Sequence, residues 1–186
     1  MATEEKLAIN IYTDGACAGN QFDENVGGWG AILEYGKYKK ELHGGEGNTT
    51  NNRMELTALI EGLAALTKKD YEVNVFSDSS YLIDCLRSRW YEKWQKNGWK
   101  TAAKKPVGNR DLWEKLLAFL PEYKFRFYLV KGHVGEGAQE DTFRKAYERF
   151  VRNNGDDFSY EEFLRVVEWN NRADGLANRG IDEAQG

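Results

Sequence analysis

Four carboxylates carry the chemistry that this 186-residue sequence makes available. Asp14 lies in Tyr12-Thr13-Asp14-Gly15 and Asp78 in Phe76-Ser77-Asp78-Ser79, each at the end of a short β-branched and aromatic run. If the two runs are parallel neighbours in one sheet, both acids emerge at the edge where open α/β sheets bind ligands. Glu55 sits one turn into a helical stretch, on Asn51-Asn52-Arg53-Met54-Glu55-Leu56, and Asp174 lies within Asn171-Arg172-Ala173-Asp174-Gly175-Leu176-Ala177 near the C-terminus. Hard divalent cations take several oxygen ligands, and two metals held close together share carboxylates drawn from different elements. Taken singly, each acid has a plainer reading: Asp14-Gly15 as a turn, Asp78 as a helix N-cap, Glu55 as a complement to the helix dipole, Asp174 as a solvated helical position.

The elements that must position these acids follow from hydrophobic periodicity. Residues 7–13 alternate as a strand, and 29–35 and 37–43 form two more around a break at Tyr35-Gly36-Lys37, which predicts three antiparallel strands. Residues 51–66 carry Met54, Ala58, Leu59 and Leu66 at helical spacing, behind the turn and capping residues Asn48, Thr49 and Thr50. Residues 73–77 read as a short buried strand and 79–86 as a helix, an order that favours parallel pairing with the first strand. A short helix over 90–99, a loop marked by Gly98, Pro106 and Gly108, a helix over 109–120 stopped by Pro121, and a strand over 125–130 follow. After Lys131-Gly132-His133, residues 139–152 are amphipathic through Phe143, Tyr147, Phe150 and Val151, and end at Asn153-Asn154-Gly155. Ser159, with Glu162 three residues on, predicts a capping box and a last helix to about residue 182.

A chain that is 41% hydrophobic and 13% aromatic, at this length, reads as one globular α/β domain able to bury a core without disulfides or structural metals. Its two cysteines, Cys17 and Cys85, read as buried thiols in a reducing compartment. The charged N-terminus has no apolar run behind it, and no stretch is long and apolar enough for a membrane, so a soluble cytoplasmic protein is expected. The net charge of −4 is unevenly placed: residues 87–110 hold eight basic residues against Glu92, a local +7 that leaves −11 elsewhere.

Joined in order, the segments around Asp14, Glu55 and Asp78, together with Gly98-Trp99-Lys100-Thr101, Lys104-Lys105-Pro106, Asp111-Leu112-Trp113, Val130-Lys131-Gly132-His133 and Asn171-Arg172-Ala173-Asp174, resemble the type 1 ribonuclease H family. These are metal-dependent nucleases that cut RNA paired to DNA, and the resemblance covers residues 7–133 and 168–180. It implies a ribonuclease H-like α/β fold, a five-stranded mixed sheet of three antiparallel then two parallel strands flanked by helices. It implies that Asp14, Glu55, Asp78 and Asp174 hold two Mg²⁺ ions, with Mn²⁺ as an alternative, about 3.5 to 4 Å apart across a scissile RNA phosphate. One ion would activate an in-line water and the other stabilise the leaving 3′-oxygen, giving 5′-phosphate and 3′-hydroxyl ends. His133 would assist proton transfer and product release, a duty that an imidazole titrating near neutrality suits. His43, with no motif around it, reads as structural.

The same resemblance makes residues 87–110 a basic protrusion that grips DNA, with Lys96, Lys100, Lys104 and Lys105 attracting phosphates and Trp90, Trp94 and Trp99 packing on sugars or anchoring the protrusion. At least one of these tryptophans reads as core rather than contact. Thr50 and Asn52 are implied to meet a DNA phosphate and base edges. Asn20, Asn51 and the backbone near Gly15 are implied to face RNA 2′-hydroxyls.

Three departures stand out. The turn after the first strand, residues 20–28, is long and acidic; Ser80 replaces a glutamine common in relatives; and His133 and Asp174 are 41 positions apart, an insertion of roughly thirty residues. Residues 135–170 carry nine acids and five bases, so a phosphate-binding role is disfavoured. The plainer expectation for this segment is a small helical hairpin on the final helix, and the sharper one a lid or a docking surface for a protein partner. The leading function is a stand-alone, monomeric endonuclease for RNA in RNA-DNA hybrids, set against the nuclease domain of a reverse transcriptase or a non-catalytic hybrid-binding module.

Overall fold

The structure, a computed structural model, describes residues 7–19, 25–131, 134–135 and 137–186. Strands β1 (Ile9–Ala18), β2 (Val26–Tyr35), β3 (Tyr38–Gly47), β4 (Glu72–Ser77) and β5 (Lys124–Leu129) form one sheet in the order β3-β2-β1-β4-β5. β1, β2 and β3 are antiparallel; β1 with β4, and β4 with β5, are parallel. This is the mixed sheet expected from the sequence. Period-two alternation divides the strands between two cores. Ile9, Ile11, Val73 and Val75 face helices α1 (Asn51–Ala64), α2 (Ser80–Arg87) and α4 (Arg110–Leu117). Tyr12, Phe76 and Tyr128 face α5 (Glu140–Asn154) and α6 (Tyr160–Gln185). The short helix α3 (Trp90–Lys96) buries none of its residues.

One strand boundary differs from the sequence reading in a way that matters. Asp14 does not end β1, which runs on to Ala18 because small residues Gly15, Ala16 and Ala18 still pair with Trp29, Gly28 and Val26 of β2. On its other side β1 loses its partner after the Tyr12–Phe76 pair, so Asp14 lies where β4 has left the sheet. Cys17 also departs from expectation: it is only half-buried on this extension, whereas Cys85 is buried in the core.

α6 begins with the expected capping box, in which Glu162 N donates to Ser159 Oγ at 3.1 Å and Ser159 N donates to Glu162 Oε2 at 2.7 Å. It then lies unusually close to the sheet. A Cβ at Gly180 would collide with the carbonyl oxygen of Gly44, and one at Gly28 with that of Ala177. A Cβ at Gly30, the residue opposite Asp14, would come within 2.5 Å of the Ala173 oxygen. Arg172 adds a two-bonded pair with Glu41 of β3 at 2.8 Å, and His43 meets Glu183 at 2.8 Å, which gives His43 a structural contact. Residues 135–170 supply α5 and the first part of α6. In the amphipathic stripe Phe150 is buried and Phe143 and Tyr147 are half-buried against the second core, so the segment packs on β5 as well as on α6.

Glycine in the middle of a helix normally costs about 0.5–1 kcal/mol relative to alanine. Gly180→Ala is nevertheless expected to destabilise, because relieving the overlap with Gly44 costs about 1–3 kcal/mol. Gly175→Ala, which meets open space, should leave stability unchanged or raise it slightly. Thermal denaturation checks the pair, with about 2–4 °C lost per kcal/mol in a chain of this size.

Candidate active site

Asp14, Glu55 and Asp78 each offer an oxygen, and these oxygens lie within 4.8 Å of one another. Asp14 comes from β1 and Glu55 from the first turns of α1, which Thr50 opens by accepting from Arg53 N at 3.1 Å. Gly15 allows this approach, since a Cβ there would stand 2.5 Å from Glu55 N. Asp78 links the end of β4 to α2. Ser79, not Asp78, is the cap of that helix: its hydroxyl accepts from Leu82 N at 3.1 Å. Asp78 is thereby left exposed and free of a capping duty. Asp174 arrives from α6, one residue past the contact of Ala173 with Gly30, and its side chain hydrogen-bonds that of Asp14.

Among the described residues, the shifts of these acids are set by burial and by one another rather than by a cation. Burial, then the charge of Asp78, then the hydrogen bond with Asp174 push the Asp14 carboxyl up to about 8. Burial, followed by Asp14 and Asp78, holds Glu55 well above the ordinary carboxylate range. Asp78 keeps an exposed face, yet the protein crowded around its carboxyl desolvates it enough to raise it, against the effect of hydrogen bonds with Glu55 and Asp14. Glu55 Oε2 is fully buried with no hydrogen-bond partner among the described residues. An orphaned oxygen among mutually repelling acids fits a hard divalent cation, whose charge reverses the repulsion and favours the ionised forms.

Gly15, Asn51, Asn52, Glu55, Asp78 and Ser80 line an open polar cleft over the cluster. Asn51 and Asn52 are exposed there, while the Thr50 hydroxyl is engaged as a helix cap. Asn20 and His133 lie outside the described residues. Lys96, Lys100, Lys104 and Lys105 are exposed on the basic segment. Its tryptophans divide: Trp99 is buried, Trp94 is half-buried against Trp99 and Trp113, and Trp90 is 46% exposed. Trp99 thus has little surface to offer a substrate and anchors the segment instead. Arg87, counted with these bases by charge, ends α2 and is turned toward β5.

Two connections went unread in the sequence. Arg53 holds Asp111 through bonds of 3.0 and 2.8 Å, tying α1 to α4 and holding the Asp111 carboxyl down to about 2. A cation in the first turn of a helix opposes the helix dipole and was the available signal. Tyr81, beside the cleft, accepts from Trp113 Nε1 at 2.8 Å and from Asn109 Nδ2 at 3.3 Å. The root of the basic segment is therefore bonded to the cleft wall.

Comparison with known proteins identifies the family of the chain. The family model described as RNase H matches residues 6–146. The ribonuclease H of Syntrophomonas wolfei is 49% identical over 145 residues, 78% of this chain and 94% of the relative. That of Thermus thermophilus is 49% identical over 146 residues, 78% of this chain and 86% of the relative. Among solved structures, LC9-RNase H1, a type 1 RNase H with the type 2 active-site motif, superposes with a TM-score of 0.62 at 26% identity, over 92% of this chain and 87% of that one. The family match stops within α5 and does not reach Asp174, which is tied to the other acids through Asp14.

Because folded Asp14 binds its proton more tightly than an ordinary aspartate, it contributes stability at low pH that is lost as pH rises from about 4 toward about 8. In chelator the thermal midpoint is expected to fall across that window, and Asp14→Asn should flatten the fall. Saturating Mg²⁺ should restore most of the lost stability at pH 8 in the wild type and little in Asp14→Asn. Equal slopes for the two proteins in chelator would contradict this origin of the pH dependence.

Proposed function

The chain belongs to the ribonuclease H family, and we propose that Asp14, Glu55, Asp78 and Asp174 are the ligands through which it works. The activity is endonucleolytic hydrolysis of the RNA strand of RNA-DNA hybrids. The observation that carries the ligand assignment is the convergence of Asp14, Glu55 and Asp78 within 4.8 Å, where Glu55 Oε2 is buried and unpaired among the described residues, with Asp174 beside Asp14. Divalent cations, Mg²⁺ with Mn²⁺ as an alternative, would supply Lewis acidity and an activated water, with cleavage to 5′-phosphate and 3′-hydroxyl ends.

The chain's own residues do the rest. Asp14, central among the acids, orients its neighbours by facing Glu55, Asp78 and Asp174 at once. Asn52 at the cleft is assigned to base edges, and Asn51 beside it, with the Gly15 backbone, to the RNA 2′-hydroxyls that distinguish RNA from DNA. Asn20 is assigned to the same duty and His133 to proton transfer, both on the family pattern alone. Thr50 retains a DNA-phosphate contact through its backbone and exposed position. Residues 87–110 act as the DNA grip, with Lys96, Lys100, Lys104, Lys105 and exposed Trp90 as contacts, and Trp94 and Trp99 as anchors.

No helix among the described residues is long and apolar enough to cross a membrane. A monomer in the cytoplasm is the proposed working state. The aromatic stripe of α5 is turned into the chain's own core, which favours a structural role for residues 135–170 over a partner-docking one.

A labelled hybrid provides the test. Cleavage of the RNA strand is expected with Mg²⁺, none with EDTA, and a loss of more than about 100-fold in Asp14→Asn, since even residues behind metal ligands cost 10–100-fold. Hybrid binding without any cleavage would favour the non-catalytic module. The double variant Lys104→Ala, Lys105→Ala should raise KM and reduce the salt slope of binding by about 1–2, as expected for two lost phosphate contacts.

A further inference from the structure

β5 is the outer strand of the sheet, so half of its backbone polar groups face away from β4. Lys124 N donates to Tyr71 O at 3.1 Å and Val130 N to Ser77 O at 2.8 Å. In a parallel ladder the intervening residues 125, 127 and 129 then point their N–H and C=O groups outward. Two side chains meet those groups. Asn154, the last residue of α5, accepts from Leu129 N at 2.7 Å and donates to Leu129 O at 2.9 Å. Arg87, the last residue of α2, donates to Phe127 O at 3.0 and 2.7 Å, to Asn154 Oδ1 at 2.6 Å and to Asn153 O at 3.1 Å.

Asn154 also donates to Phe150 O at 2.9 Å, so both amide hydrogens and both lone pairs of its side chain are used. Against Leu129 this amide takes the place that the backbone of a sixth strand would occupy. Aspartate has no hydrogens to offer Leu129 O, and leucine offers neither partner. Gly155 follows at φ 86°, a left-handed value that ends α5 and turns the chain away behind the amide.

The clamp reaches the carboxylates through a short relay. Leu129 is in register with Ser77, and Ser77 O receives the bond from Val130 N. Asp78 is the next residue, and Ser79 N is held by Ser77 Oγ at 3.1 Å. Phe158, in the turn between α5 and α6, packs edge-on against Phe76 and Tyr128 with ring centroids 5.8 and 4.9 Å away. We infer that residues 135–170 serve the cation site as a positioning device, in which Asn154 and Arg87 pin the end of β5 and thereby the β4 terminus from which Asp78 departs. This rests on the assignment of Asp78 as a cation ligand. Asn154 and Arg87 are positioning residues and touch neither substrate nor cation.

Four variants, Asn154→Ala, Asn154→Asp, Arg87→Ala and Asp78→Asn, separate the possibilities. The readouts are Mn²⁺ affinity by calorimetry without substrate, kcat and KM on labelled hybrid, and amide hydrogen exchange at Leu129 and Val130. Asn154→Ala and Arg87→Ala are expected to speed exchange, weaken Mn²⁺ binding by about tenfold or more, and lower kcat with KM within about twofold of wild type. Asn154→Asp, which keeps the acceptor for Leu129 N and Arg87, should recover part of the Mn²⁺ affinity. Faster exchange with wild-type Mn²⁺ affinity and wild-type kcat per folded molecule overturns the inference and leaves Asn154 as a stabiliser of the edge. Should Asn154→Ala fail to fold, Asn154→Asp and Arg87→Ala decide by the same criterion. Wild-type Mn²⁺ binding by Asp78→Asn defeats the ligand assignment itself; loss of binding there, with binding retained in the clamp variants, defeats only the inference.

Discussion

Crowded carboxylates repel one another, and Asp14, Glu55 and Asp78, the first two buried, stay within 4.8 Å because the backbones that carry them have no room to relax. β1 is paired with β2 on both sides of Asp14, so that strand cannot swing away. The start of α1 is pressed against Gly15 too closely for any side chain there, which fixes Glu55 over β1. Asp78 is suspended between the last ladder bond of β4 and the Ser79 cap of α2. The fold thus gathers electrostatic repulsion at one sheet edge, which a bound cation would relieve.

The fourth acid depends on a different constraint. α6 reaches the sheet through a surface of glycines, Gly28, Gly30 and Gly44 meeting Ala177, Ala173 and Gly180, and that close approach brings Asp174 to the side of Asp14. Along the chain Asp174 is separated from β5 by α5 and half of α6. In space the separation costs nothing, because α5 folds back over β5 and the second core receives Phe150, Phe158 and Phe163 around Tyr12, Phe76 and Tyr128. Of that row, Tyr12 and Phe76 stand two residues before Asp14 and Asp78 along the chain. The same segment caps the open edge of β5, so a stretch without obvious chemistry supports the residues that have it.

Local signals made much of this legible. Alternation gave the strands, helical spacing gave α1, α2, α5 and α6, and the Ser159–Glu162 pair gave the start of the last helix, because each is decided by neighbours a few residues apart. The extension of β1 past Asp14 was hidden, since Gly15, Ala16 and Ala18 have low strand propensity and are strand only because β2 continues beside them. The division of labour among Trp90, Trp94 and Trp99 was hidden too: three similar residues in a basic segment differ only in what packs against them.

The sequence by itself determined the types and order of the four acids, the elements that carry them and the family to which they belong. Those are properties of residue identity and short-range spacing. The tertiary structure alone decided that Asp174 comes beside Asp14 despite its distance along the chain, that Arg53 joins α1 to α4, and that Asn154 meets the edge of β5. Such contacts join residues tens of positions apart, and their partners are chosen by packing geometry rather than by any periodicity a strand or helix imposes on its own sequence.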